Sequence, residues 1–132
     1  MARVRQKGTK PELALRRALH AMGLRYRLQV PVLSKPRRVA DIVFKGLKVA
    51  VFVDGCFWHG CPQHATWPKK NATFWREKIE ANQARDADTN QRLEALGWTV
   101  IRIWAHELKT EEGAAETAAR IADIVRERKQ QM

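Results

Sequence analysis

The chain is poor in four things, and each shortage excludes something. No stretch of its 132 residues approaches the ~18 uninterrupted apolar residues of a membrane-spanning helix, so no contact with the membrane interior is expected. The start, Met1-Ala-Arg-Val-Arg5, has no apolar signal core, which makes a cytoplasmic protein, associated with the nucleoid when bound to DNA, the expectation. Cysteine occurs only twice, at 56 and 61, and in a reducing compartment two thiols point to metal binding or chemistry rather than a disulfide. Acidic residues are almost missing from the first third. Residues 1–38 hold 11 Lys/Arg against Glu12 alone, a balance of +10, while the other 94 hold 14 against 13, a balance of +1. A net charge of +11 placed this unevenly implies a face for a polyanion, nucleic acid first among them, although charge alone does not imply catalysis.

What is there fits one soluble domain over residues 1–132, with 45% hydrophobic and 30% charged residues and no internal repeat. Residues 1–8 read as a basic flexible arm. Thr9-Lys10-Pro11-Glu12 has the form of a capping box, and Leu15, Leu19 and Met22 repeat at helical spacing up to Gly23, which predicts a helix over 10–22. Tyr26, Leu28 and Val30 alternate with polar residues as in a half-buried strand, and Pro31 with residues 34–38 reads as a loop. Runs of β type at 39–44 and 47–53 flank Lys45-Gly46 as a tight antiparallel hairpin. The second run is apolar on both faces and belongs inside a covered sheet. Residues 54–70 form an irregular segment too long to be idle. A helix over 74–96, capped by Asn71 or Thr73 and ended by Gly97, has a polar middle suited to a ligand. A strand over 98–104 and a helix over 114–128 complete an α/β fold, a mixed sheet flanked by helices.

Chemistry concentrates in Val49-Ala-Val-Phe-Val-Asp-Gly-Cys-Phe-Trp-His-Gly-Cys-Pro-Gln-His64. Cys56, Cys61 and His64 carry zinc-type donors, with His106 after the last strand as a fourth ligand; four protein ligands make a structural site. Asp41, inside a strand where an unpaired carboxylate is expensive, and Asp54, at the end of the next, can converge at one sheet edge. There they suit Mg²⁺, which prefers oxygen donors and phosphate. His59 is placed for general acid or base work. Half of the ten aromatics fall within residues 57–75, and those on a polar loop can be driven between base steps. A non-catalytic, zinc-stabilised DNA-binding module is the alternative, and the acids at 41 and 54 count against it.

Asp41 on a strand, Phe52-Val-Asp-Gly-Cys-Phe-Trp-His-Gly-Cys-Pro62, Asn71-x2-Phe-Trp-x2-Lys-Ile79, Asn82-x2-Arg-Asp86, Leu96-Gly-Trp98 and Ile103-Trp-x2-Glu-Leu108 resemble the very short patch repair (Vsr) DNA mismatch endonucleases. The resemblance runs from about Lys7 to Leu108. It implies a PD-(D/E)xK-type nuclease fold with a structural zinc, and single-strand nicking 5′ of the thymine in a T:G mismatch, which starts repair of deaminated 5-methylcytosine. It further implies that Asp41 is the catalytic Mg²⁺-binding aspartate, aided by Asp54 or the main-chain carbonyl of Val53, and that His59 is the catalytic histidine. Glu12 falls on an acidic residue near the active site, and Phe57, Trp58 and Trp75 on aromatics that wedge into DNA. Cys56, Cys61 and His106 fall on zinc positions. Arg3, Arg5, Lys7, Arg37 and Arg38 are the expected DNA-backbone contacts. The implied partners are double-stranded DNA with a T:G mismatch and, functionally, a cytosine-5 methyltransferase; the chain is expected to act as a monomer. Two departures from the family pattern stand out: Asp54 where the best-known member has histidine, and a zinc set completed by His64, one residue displaced, and His106 in place of cysteine. A nuclease of the same fold without mismatch preference is the nearest rival.

Overall fold

The computed structural model describes residues 10–55 and 71–131. Chain order is α1 (Lys10–Ala21), β1 (Arg27–Ser34), β2 (Arg37–Phe44), β3 (Val49–Asp54), α2 (Ala72–Ala95), β4 (Thr99–Trp104), a single 3₁₀ turn (Ala105–Leu108) and α3 (Glu111–Gln131). The four strands lie in the order β1-β2-β3-β4. β1–β2 and β2–β3 are antiparallel, and β3–β4 is parallel, with α2 as the crossover. This is the mixed, helix-flanked sheet that the alternation of patterns predicts.

Each sheet face has its own cluster. On one, Leu15 and Leu19 of α1 and Ala114, Ala118, Ile121 and Val125 of α3 pack on Ile42, Phe44, Val49, Val51 and Ile103. On the other, Leu93 of α2 meets Ala40, Val43, Ala50 and Phe52, with Trp98 and Val100 at the margin. α1 and α2 both end as expected, on Gly23 (φ 78°) and Gly97 (φ 90°). In each, the glycine N–H bonds to the carbonyl three residues back and the next N–H reaches five back: Gly23 to His20, Leu24 to Leu19, Gly97 to Glu94, Trp98 to Leu93. A left-handed residue is required at that point, and glycine meets it without Cβ strain.

Several boundaries differ from expectation. β1 continues through Pro31, which is tolerated because β1 is an edge strand and needs no ladder donor on its outer side. The expected loop over 34–38 therefore shrinks to a turn, and Arg37 and Arg38 sit on β2. The β2–β3 hairpin holds, but its turn spans residues 45–48 and includes left-handed Lys48 (φ 58°). Asn71 occupies the N-cap of α2 without a side-chain capping bond. Its backbone is left-handed (φ 58°, ψ 38°), whereas a side-chain N-cap needs extended backbone; Thr73 lies inside the helix. α3 starts earlier than predicted because Thr110 Oγ1 accepts the Gly113 N–H at 2.9 Å. Among the described residues no helix is long and apolar enough to cross a membrane.

Candidate active site

The site grows from a place where the sheet opens. β2 and β3 pair at Ile42–Val51, Val43–Ala50 and Phe44–Val49, and the pairing stops there. One residue further, the Asp41 side chain takes over: its Oδ2 accepts the Val53 N–H at 2.7 Å. Its Oδ1 accepts Gln29 Nε2 from β1 at 3.3 Å. A carboxylate thus fills the gap that the diverging backbones leave. Both of these donors are neutral, so they orient Asp41 without cancelling its charge.

A cleft of about 650 Å³ opens over this split, lined by Glu12, Gln29, Arg37, Arg38, Asp41, Val53, Asp54, Asn82, Arg85, Asp86, Thr89 and Arg102 among others. α1 contributes Glu12, an acid only 1% exposed, from its first turn. α2 forms the opposite wall, and its polar middle, unexplained as packing, is the cleft lining. Arg38 reaches across from β2 to Thr89 Oγ1 at 2.7 Å and to Asp88 at 3.3 Å. Thr89 Oγ1 donates in turn to the Arg85 carbonyl at 2.8 Å, so this buried hydroxyl is used in both directions.

Asp54 ends β3 and is buried, and the cation facing it is Arg102 on β4. Arg102 Nη1 lies 2.9 and 3.2 Å from the two Asp54 oxygens and 3.4 Å from Asp86 Oδ1. Its Nε donates to Asn90 Oδ1 at 2.8 Å, and its guanidinium stacks 4.2 Å from the centre of the Phe52 ring. The arginine joins β3, β4 and α2 at one point. It balances Asp54 inside the protein.

Of the residues expected to act, the structure brings Glu12, Asp41, Asp54, Val53, Arg37 and Arg38 to one cleft. Among the described residues no three His, Cys, Asp or Glu side chains converge as a metal cage. Trp75 is half-buried on the first turn of α2, edge-on to Phe74 at 5.1 Å, and Phe74 is 52% exposed. The pair sits roughly 10 Å along the helix from the cleft-lining Asn82, at 1.5 Å per residue. His106 lies half-buried on the 3₁₀ turn. His59, Cys56, Cys61, His64, Phe57, Trp58, Arg3, Arg5 and Lys7 fall outside the described residues.

With this geometry in place, comparison with known proteins is direct. The family profile described as DNA mismatch endonuclease Vsr matches residues 1–65. The DNA mismatch endonuclease Vsr of Escherichia coli is 33% identical over 122 residues, 89% of this chain and 74% of that protein. The chain belongs to the Vsr family. Within that family, the Type II nicking enzyme V.XorIIP of Xanthomonas oryzae is 43% identical over 127 residues, 95% of this chain and 88% of the relative. The Type II nicking enzyme V.NaeI of Lentzea aerocolonigenes is 50% identical over 109 residues, 78% of this chain. The matched part is 63% of the V.NaeI chain, less than two thirds of its length.

Two residues of this Vsr-family site escaped sequence reasoning. Arg102 was detectable in principle: a charge inside the apolar run Thr99-Val-Ile-Arg-Ile-Trp104 raises the same question as Asp41 inside its strand. Gln29 carried no such signal, since a polar residue at that position satisfies simple alternation. Glu107 of the Ile103-Trp-x2-Glu-Leu108 motif has a structural role, accepting the Trp104 N–H at 2.9 Å and pairing with Arg120 to close the 3₁₀ turn.

Proposed function

We propose that this chain is a Mg²⁺-dependent, strand-nicking DNA endonuclease that cuts 5′ of the thymine in a T:G mismatch and so initiates repair of deaminated 5-methylcytosine. The observation that carries the reading is Asp41, a carboxylate at the opening of the sheet, held by two neutral N–H donors in an arginine-rimmed cleft. Asp41 and the Val53 carbonyl would hold Mg²⁺, which would supply charge to polarise a scissile phosphate. Arg37 at the cleft rim pairs with the DNA backbone, with Arg3, Arg5 and Lys7 adding charge from the arm. Arg38 does so from β2, with its guanidinium anchored to Thr89 and Asp88 of α2. His59 moves the proton, and Glu12 adds negative charge to the cleft that holds Asp41. Phe57, Trp58 and Trp75 meet the distorted base step. Asp54, already balanced by Arg102, supports the site rather than serving as a full metal ligand.

The Type II nicking relatives are named for nicking and not for any mismatch, which leaves a second reading, nicking without mismatch preference. Identical duplexes differing only in T:G or T:A decide between them. Nicking confined to T:G and to Mg²⁺-containing buffer is expected. Asp41→Asn should lower the rate on the order of 100-fold or more. Equal nicking of T:A moves the assignment to the second reading, and full activity of Asp41→Asn removes the role of Asp41.

Cys56, Cys61, His64 and His106 make a donor set of thiolates and imidazoles that suits structural zinc. One zinc per chain is expected by elemental analysis, with a lower melting temperature after chelation. A metal-free preparation of unchanged stability would refute the site. The chain is taken to act as a monomer in the cytoplasm, linked in function to a cytosine-5 methyltransferase.

A further inference from the structure

Among the described residues, Gln29 is the only strand residue with a positive φ, 51°. A non-glycine residue rarely adopts this conformation, and glutamine is not among the types that tolerate it best. Such outliers persist only where the surroundings over-determine them, and they collect at functional sites.

Two observations converge on this residue. The first is a change of face. Residues two apart in a regular strand share a face, yet Leu28 packs with the α1/α3 cluster and Val30 with the α2 cluster. β2 does the same around Asp41, with Ile42 in the first cluster and Ala40 in the second. The pairs Leu28–Ile42 and Val30–Ala40 put Gln29 directly opposite Asp41. Both strands of the hairpin therefore turn over at one level, the level at which β2 leaves β3. The second observation is the bond from Gln29 Nε2 to Asp41 Oδ1.

We propose that Gln29 is the positioning residue of Asp41: its left-handed backbone turns the β1–β2 hairpin away from β3, and its amide fixes the carboxylate toward the cleft. The inference rests on the reading of Asp41 as the cation-holding group and adds the part of the chain that aims it. An amide suits the task because it donates without charge; a lysine or arginine there would neutralise the carboxylate that the cation needs.

The test uses the full chain and three variants, Gln29→Gly, Gln29→Met and Asp41→Asn. Three quantities are read: melting temperature without added divalent metal, Mn²⁺ binding to DNA-free protein by water-proton relaxation, and nicking at limiting Mg²⁺. Glycine adopts this φ without strain, so Gln29→Gly is expected to melt at or above the parent temperature. It should nonetheless bind Mn²⁺ and nick about 10- to 100-fold more weakly, the usual consequence of losing an outer partner of a metal ligand. Gln29→Met keeps the side-chain length and lacks the donor; it should show the same loss of Mn²⁺ affinity, and it decides the matter if Gln29→Gly does not fold. Mn²⁺ binding and nicking indistinguishable from the parent in the folded Gln29 variants overturns the proposal. If Asp41→Asn abolishes both while the Gln29 variants are silent, only this inference falls. If Asp41→Asn itself behaves as the parent, the reading of Asp41 falls as well.

Discussion

The two faces of the sheet are held by different physics. Against α1 and α3 the contact is apolar: Leu15, Leu19, Ile42, Val49, Val51, Ile121 and Val125 are all essentially buried. Against α2 the only buried apolar side chain that the helix adds to the cluster is Leu93. Polar, directional bonds join it, Arg38 to Thr89 and Asp88 and Arg102 to Asn90 and Asp86. The apolar side contributes stability that depends little on exact geometry. The polar side fixes where α2 stands over Asp41, because a charged hydrogen bond weakens steeply when misaligned. A cleft built for a phosphate needs such a wall, since an apolar one would offer nothing to bind.

This contrast can be broken most severely at Arg102. Replacing it by methionine leaves Asp54 buried without this partner and should reduce stability by about 3–5 kcal/mol. The double change Arg102→Met with Asp54→Asn should recover much of that loss in denaturant unfolding. Strictly additive losses would mean that the pair is not coupled. Ile121→Ala strikes the apolar face and should cost about 2–5 kcal/mol. Below its melting transition, however, this variant should nick at the parent rate, so a large rate loss would show that the faces are not independent. Thr89→Val is the mildest, about 1 kcal/mol for one hydroxyl that both accepts and donates. Here the expected loss lies in nicking more than in unfolding, because Arg38 and α2 lose their shared anchor. Equal small effects on both would blur the division.

Much of this was legible before any coordinates. Periodicity placed α1, β1 and α3, and apolar runs of β type placed β2, β3 and β4, whereas α2 was marked by its capping residues and Gly97, and the 3₁₀ turn carried no signal. The two glycine stops were read correctly because left-handed caps have few alternatives. Asp41 was singled out by its place inside a strand and Glu12 by the family resemblance alone, and both line the cleft. The polar middle of α2 announced a surface for something other than core. Pro31 misled because its meaning depends on whether its strand is an edge, and edge status is a property of sheet order. Asn71 misled because a good capping residue adopts a backbone that prevents capping.

The sequence by itself determined the family, the basic first third, the mixed sheet and the acid on which the proposed chemistry turns. Those depend on residue type and local spacing, which the chain carries in one dimension. Tertiary structure alone decided that β2 parts from β3 beside Asp41, that Gln29 of the neighbouring strand β1 aims its carboxylate, and that Arg102 pairs with Asp54. Each of these is a meeting of residues 12 to 48 positions apart. Their pairing follows from sheet order and register, which no single stretch of the chain encodes.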